Sequence, residues 1–442
     1  MRRKIWFWGL SMLLWGSAQA QVVKDKAVLD SADVVTVSAD TAGWYSRATD
    51  YAAQQQWERS DRVYRSALER DSTLLLAWMG LAENACATGQ YAHGLSLLSP
   101  LDGLAGDNTS FYLLRAKIAM YLNYFDQALD DAIVALHLGD VEGFSAIYAI
   151  GNLDNNLALR KTEAASLRYP TEFMWPYCMG LLHMVEYRYQ EAIQFLSKAN
   201  ELCPLSSINE QRAKCYEVLG LFADGVTAID EAIRLNPENK GYYKKRMQLL
   251  AYSGKIDEAI WQGERYLNVQ PDDVESYNFI GYLCYWKRDW DKAASYVGMG
   301  IELDRAFAPM YVLRGMILQA KGELTAARRD FETALEKYEA GGTIASSYHA
   351  YAGLGRIEEG AEALERYLST ESNEGTSYYD GACFYARAGQ PDKAIEYLEM
   401  AARKGFCQCA MLIHDPDLDC IRNEARFKEL LSQLEITYHY QE

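Results

Sequence analysis

Only nine prolines and six histidines occur in the 442 residues, and no stretch has the composition of an interdomain linker. A chain this long would ordinarily divide into about two to four globular domains, so the absence of linkers points instead to repetition. No nucleophile elbow, phosphate loop or pair of metal-binding histidines one helical turn apart is present. The six histidines stand separately at 93, 137, 183, 349, 414 and 439. An enzyme therefore has no residues to stand on, and no cofactor or metal is expected. Basic residues are also scarce: 44 Lys and Arg face 61 Asp and Glu, a formal charge of -17. No basic stripe interrupts that surface, which excludes nucleic acid as a partner on electrostatic grounds.

The one long apolar run lies at the start. Arg2, Arg3 and Lys4 precede apolar residues from Ile5 to Trp15, followed by Ala18-Gln19-Ala20. This is the pattern of a secretory signal peptide over residues 1–20, cut before Gln21. The run is short for a membrane span, no cysteine lies near the cut to carry a lipid, and no other segment is long and apolar enough to span. The mature chain is expected to be exported, periplasmic, without stable membrane insertion, and with a formal charge of -20 once the three basic residues are removed. Residues 21–40 hold no aromatic residue and no helical periodicity, and read as a flexible lead-in.

Two series of helix breakers then run in register. Pro170, Pro204, Pro237 and Pro271 are 34, 33 and 34 residues apart; Gly220, Gly254, Gly322, Gly355 and Gly389 follow the same period. Two breakers per period imply two helices. Glycine ends the first because it tolerates the left-handed conformation, and proline follows the second because it cannot continue it. Apolar or small residues recur at i, i+3, i+4 and i+7, as in Tyr277, Ile280, Gly281 and Cys284 or Trp78, Leu81, Ala82 and Ala85, so one face of each first helix is buried. The second helices carry alanine at the predicted crossing, at 128, 192, 259, 293, 327 and 394. A bulkier residue usually stands four later: Leu196, Val297, Phe331, Leu398. Small residues there let helices approach closely.

This pattern resembles the tetratricopeptide repeat, in which Trp, Leu-Gly, Tyr, Ala, Phe, Ala and Pro recur over 34 residues. The resemblance implies an all-α, right-handed α-solenoid of about eleven helix-turn-helix repeats over 41–408. In this register the third repeat, 109–138, is four residues short and the fourth lacks the turn glycine. Since a lone repeat cannot bury its apolar face, the open end needs a cap. Residues 409–442 supply it, with Phe427, Leu430, Leu431 and Leu434 on one face of a final helix.

The resemblance also implies that the first helices line a groove for other proteins or peptides. The second, fifth, ninth and twelfth residues of each repeat place Lys214, Lys244, Gln248, Asn278, Tyr282, Tyr285 and Tyr379 on that groove, with Glu210, Glu217, Glu275, Cys383 and Ala386 beside them. Tyrosines among amide and ammonium donors suit a recognition surface. The basic and asparagine positions with which some relatives clamp a terminal carboxylate do not recur as a set. An interaction scaffold or adaptor, in envelope assembly or secretion, is the expected function; an enzyme with an active site dispersed along the groove and a purely architectural spacer are the alternatives.

Nine cysteines in an exported chain leave at least one thiol unpaired within it. Cys86, Cys178, Cys215, Cys284 and Cys383 fall within first helices, where small apolar side chains pack well. Cys407, Cys409, His414 and Cys420 match no common zinc spacing. Asp415, Asp417 and Asp419 alternate like the start of a calcium loop, but Cys420 and Arg426 stand where that loop needs glycine and glutamate. Helix-start chemistry is the expected role of these aspartates.

Overall fold

The computed structural model describes residues 39–341, 346–370 and 374–438; the expected signal peptide and nearly all of the lead-in lie outside them. Among the described residues every regular element is helical. The chain divides into two compact units, the N-terminal one ending at Arg212 and the C-terminal one starting at Ala213.

The N-terminal unit opens with α1 (Ala39–Ala53) paired to α2 (Trp57–Arg70), then α3 (Leu75–Ala87) with α4 (Tyr91–Leu98). A short α5 (Asp102–Ala105) leads to α6 (Thr109–Tyr121) with α7 (Phe125–His137), α8 (Glu142–Gly151) with α9 (Asn155–Arg168), and α10 (Met174–Val185) with α11 (Tyr189–Leu202). Helix α12 (Ser206–Val218) spans the residue at which the units divide and pairs with α13 (Phe222–Leu235). The C-terminal unit continues with α14 (Lys240–Tyr252) and α15 (Ile256–Val269), α16 (Val274–Trp286) and α17 (Trp290–Leu303), and α18 (Ala308–Ala320) and α19 (Leu324–Gly341). It ends with α20 (Ser347–Leu354) and α21 (Ile357–Thr370), α22 (Gly375–Arg387) and α23 (Pro391–Arg403), then α24 (Cys409–His414) and α25 (Ala425–Thr437). The helices thus form the eleven expected pairs. The third is not truncated: α6 and α7 have 13 residues each.

Each breaker acts as its chemistry requires. The five glycines of the turn series all have positive φ, between 70° and 83°. Where a turn lacks glycine, Gln55, Asn123, Tyr187 and Arg288 adopt the left-handed conformation themselves, at φ of 58° to 61°. Tight turns therefore persist at some backbone strain. The turn between α8 and α9 uses no left-handed residue; Asp154 caps α9 instead, accepting from the Leu157 amide at 3.0 Å. Pro170, Pro204, Pro237 and Pro271 each follow the last residue of a second helix by two positions.

The six crossing alanines are buried, as are Leu196, Val297, Phe331 and Leu398 four residues on. Their complement on the first helices is glycine. A Cβ at Gly315 would lie 2.6 Å from Phe331, and one at Gly180 would lie 2.7 Å from Leu196. The absent side chain is what lets the two helices touch. At the C-terminal end, Phe427, Leu430 and Leu434 of α25 are buried and Leu431 is half-buried against the core that α22 and α23 share. No helix among the described residues is long and apolar enough to cross a membrane.

Candidate protein-interaction groove

All seven predicted groove residues lie in the C-terminal unit, and their surroundings differ sharply. Lys244 is tied down within the fold: its ammonium donates to Asp273 at 3.0 Å and Glu275 at 2.9 Å, bracing α14 against the start of α16. Lys214 and Gln248 are half-buried. On α16, Asn278 and Tyr282 are half-buried, with Tyr282 packed against the main core cluster. The Asn278 Oδ1 is enclosed without a hydrogen-bond partner.

Tyr285 and Tyr379 are not open positions at all. Both are buried, because the chain's own C-terminal segment covers them. After α23 the chain turns back and runs across α14, α16 and α22, with Met411 packed against both large core clusters. Phe406 stacks on Tyr379 with ring centroids 4.8 Å apart. The segment Asp415-Pro416-Asp417-Leu418-Asp419 then seats three carboxylates. The Tyr379 hydroxyl donates to Asp415, and the Cys383 thiol lies 3.7 Å from the same oxygen. The Tyr285 hydroxyl donates to Asp417 at 2.8 Å, where the Arg387 guanidinium also approaches to 3.6 Å. Arg288 grips both oxygens of Asp419, at 2.7 and 2.8 Å. Leu418, between the acids, is fully buried. Arg422 fixes the turn from behind, donating to the carbonyl of Leu412 at 2.9 Å and to Asp419 at 2.8 Å.

The alternating aspartates thus have a role beyond helix-start chemistry. Asp415 does open the turn at Pro416–Leu418 by accepting from the Asp417 amide at 2.9 Å, but Asp417 and Asp419 reach outward to α16 and to the turn that follows it. Three side chains aimed at different partners do not converge on a calcium ion. Nor do the tail cysteines converge: the Cys407 thiol faces the Glu217 carbonyl, the Cys420 thiol faces that of Ala386, and all nine cysteines are unpaired. One group among the described residues does have metal-like spacing, Cys383, Asp415 and Asp417, with ligand atoms within 4.8 Å of one another. Tyr379, Tyr285 and Arg387 already occupy these acids, and a guanidinium beside them disfavours a cation.

Burial governs the electrostatics here. It pushes Asp415 up to about 7, with the repulsion of Asp417 adding to the rise. Asp417 is raised too, burial outweighing the pull of Arg387. Burial likewise lifts the Cys383 thiol well above its usual range, so it is no nucleophile. His349 is held neutral, down to about 3, by burial and then by the charge of Arg387. Asp380, Arg387, Tyr338 and Tyr348 belong to the same inner surface and escaped the repeat positions. A signal existed in the sequence: acids alternating about a proline, placed after the last repeat, in a chain whose first helices are rich in tyrosine.

The sequence matches the tetratricopeptide repeat family over residues 308–336, the α18–α19 pair up to Glu336. Solved structures to which the chain is similar include that of MamA, at 20% identity over 37% of this chain and 96% of that one, with a TM-score of 0.35. Another is YrrB, described as a tetratricopeptide repeat protein with an unusual peptide-binding site, at 17% identity over 40% of this chain and 91% of that one, TM-score 0.35. Yeast Tom70 aligns over 89% of this chain and 99% of its own, at 13% identity and a TM-score of 0.38. With the repeat matched at α18–α19 and the same antiparallel pair, turn and crossing alanine recurring along both units, the chain is a multi-repeat tetratricopeptide protein.

Proposed function

We propose that this protein is an exported interaction scaffold that holds segments of other proteins on the first-helix surface of its repeats. One observation carries the reading: the inner face of the C-terminal unit grips an irregular acidic segment by tyrosine hydroxyls and arginines while burying the leucine between the acids. Hydroxyl and guanidinium anchors around one apolar side chain are how interfaces concentrate binding energy. A partner segment of the same chemistry, acidic with an interposed leucine, would compete for Tyr285, Arg288 and Tyr379. Asn278, Tyr282 and Gln248 flank that seat. An enzyme finds no support in the Cys383 thiol of this surface, which burial keeps protonated.

The test is site-specific photocrosslinking in cells from position 248, in the parent and in a variant carrying Asp417→Asn and Asp419→Asn. Loosening the internal segment should strengthen a discrete set of crosslinks, and Arg288→Ala should weaken them. Equal, non-specific labelling in all three would end the proposal. Export is tested separately by N-terminal sequencing of the mature chain, which should begin at Gln21; intact protein starting at Met1 in the cytoplasm would refute it.

A further inference from the structure

The acidic segment is not held alike along its length. Its first acid, Asp415, is buried, and the side chains that reach its carboxylate are uncharged: the Tyr379 hydroxyl donates to it, and the Cys383 thiol lies 3.7 Å from the same oxygen. The other oxygen accepts from the Asp417 amide at 2.9 Å. Arg422 turns to the backbone instead, donating to the Asp415 carbonyl. The second acid, Asp417, has a side chain only 5% exposed and takes both the Tyr285 hydroxyl at 2.8 Å and the Arg387 guanidinium at 3.6 Å. The third, Asp419, is 44% exposed and is gripped by Arg288 and Arg422. From Asp415 to Asp419 the anchors therefore pass from neutral to cationic.

We propose that the Tyr379–Cys383 end of the groove is a subsite for an uncharged amide, and that the partner segment carries asparagine two positions before an Asp-Leu-Asp run. The inference rests on the groove reading and adds to it the order of charges in the partner. A hydroxyl and a thiol both donate and accept, so they satisfy an amide as readily as a carboxylate; a guanidinium only donates and calls for an anion. A carboxylate in the first position brings a charge into an enclosed site with no cation of its own, within 4.8 Å of the Asp417 oxygen. Burial and then Asp417 accordingly push Asp415 up to about 7. Asparagine has the same length and keeps the turn: its Oδ1 accepts from the amide two residues on, and its Nδ2 donates to the Tyr379 oxygen. The chain's own segment thus fills the groove with a mismatch at one end, and yields to a partner that lacks it.

Two labelled peptides spanning residues 411–423, one of natural sequence and one with Asp415→Asn, test the order of charges by fluorescence anisotropy. The receptor is the full chain with its own segment loosened by Asp417→Asn and Asp419→Asn. At pH 8 the asparagine peptide should bind at least about tenfold tighter, and its advantage should shrink at pH 6, where the aspartate enters protonated. Equal affinities at pH 8 overturn the inference and leave the groove reading standing; no binding of either peptide at millimolar concentration overturns both. An advantage that survives Tyr379→Phe undiminished lies outside this subsite and also overturns it. In the otherwise unaltered chain, Asp415→Asn should raise the melting temperature at pH 8, leave it near the parent value at pH 5, and weaken crosslinks formed from position 248. A melting temperature at pH 8 no higher than the parent's overturns the inference by itself.

Discussion

The two units contain the same ion pair in different surroundings. In the N-terminal unit Arg115 of α6 holds Asp131 of α7 through two hydrogen bonds of 2.9 and 2.7 Å; in the C-terminal unit Arg314 of α18 holds Asp330 of α19 through two of 2.7 Å. Both arginines are the seventh residue of a first helix, both partners lie 16 residues on, and both guanidinium groups sit over an aromatic ring, Phe111 or Tyr311. Burial separates them. The side chains of the first pair are 8% and 4% exposed, with Asp102 completing a triad, whereas those of the second are 33% and 10% exposed. The same two residues therefore lock one repeat and merely brace another. Asp380 is the third case, an acid on an inner helix face with no arginine supplied.

Removing one partner gives the widest separation. Arg115→Ala leaves Asp131 in an enclosed site and should cost about 3–5 kcal/mol, whereas Arg314→Ala removes a partly exposed guanidinium, opens the acid to water and should cost less, about 1–2 kcal/mol. Urea unfolding followed by circular dichroism reads both. Equal costs would mean that burial is not what distinguishes the pairs. Replacing both members of the first pair, as Arg115→Met with Asp131→Leu, should recover most of the loss.

Close helix approach gives the next effect, and it should be alike in both units. Gly315→Ala and Gly180→Ala each drive a Cβ into Phe331 or Leu196 and should cost about 1–3 kcal/mol. Leu196→Ala in the background of Gly180→Ala should then cost less than Leu196→Ala alone. A fully additive pair would show that the two side chains do not meet.

Two buried acids predict a pH response in the C-terminal unit. Asp380 and Asp415 are both pushed up to about 7, by burial first and then by a neighbouring aspartate, so the folded state keeps protons that the unfolded state releases near pH 4. Stability is thus greatest below about pH 4 on their account and falls as pH rises to about 7. Melting temperatures across that window should decline less steeply in Asp380→Asn; an unchanged slope would show that its carboxyl titrates normally. The smallest effect belongs to the turns. Tyr187, exposed and left-handed at φ 59°, stands where other repeats have glycine. Tyr187→Gly should raise stability by about 0.5 kcal/mol, the relief of strain being partly offset by the greater freedom of the unfolded chain.

Repeat length, turns and crossings were legible because each depends on residues a few positions apart. Gly254 and Gly322 announce left-handed turns, and Ala259 and Ala327 announce crossings, whatever the rest of the chain does. Helical spacing also places Tyr282 and Tyr285 away from the Ile280–Cys284 stripe. It does not reveal what covers them. Tyr285 is closed off by Asp417, 132 residues away, and nothing in the periodicity of α16 encodes so distant a partner. Asp380 was missed for the opposite reason: it is one helical position beside a predicted groove residue, and its significance lies in the arginine that is not opposite it.

The separation of 131 positions between Arg288 and Asp419 also sets an order of events. Contacts between neighbouring helices become possible as soon as the second of them is made, but the acidic turn is synthesised long after α16. At about 5–20 residues per second, the face of α16 exists for roughly ten seconds before the segment that covers it has been made. For that interval any ligand present competes with nothing. Timing, and not affinity alone, then decides which segment occupies Tyr285 first.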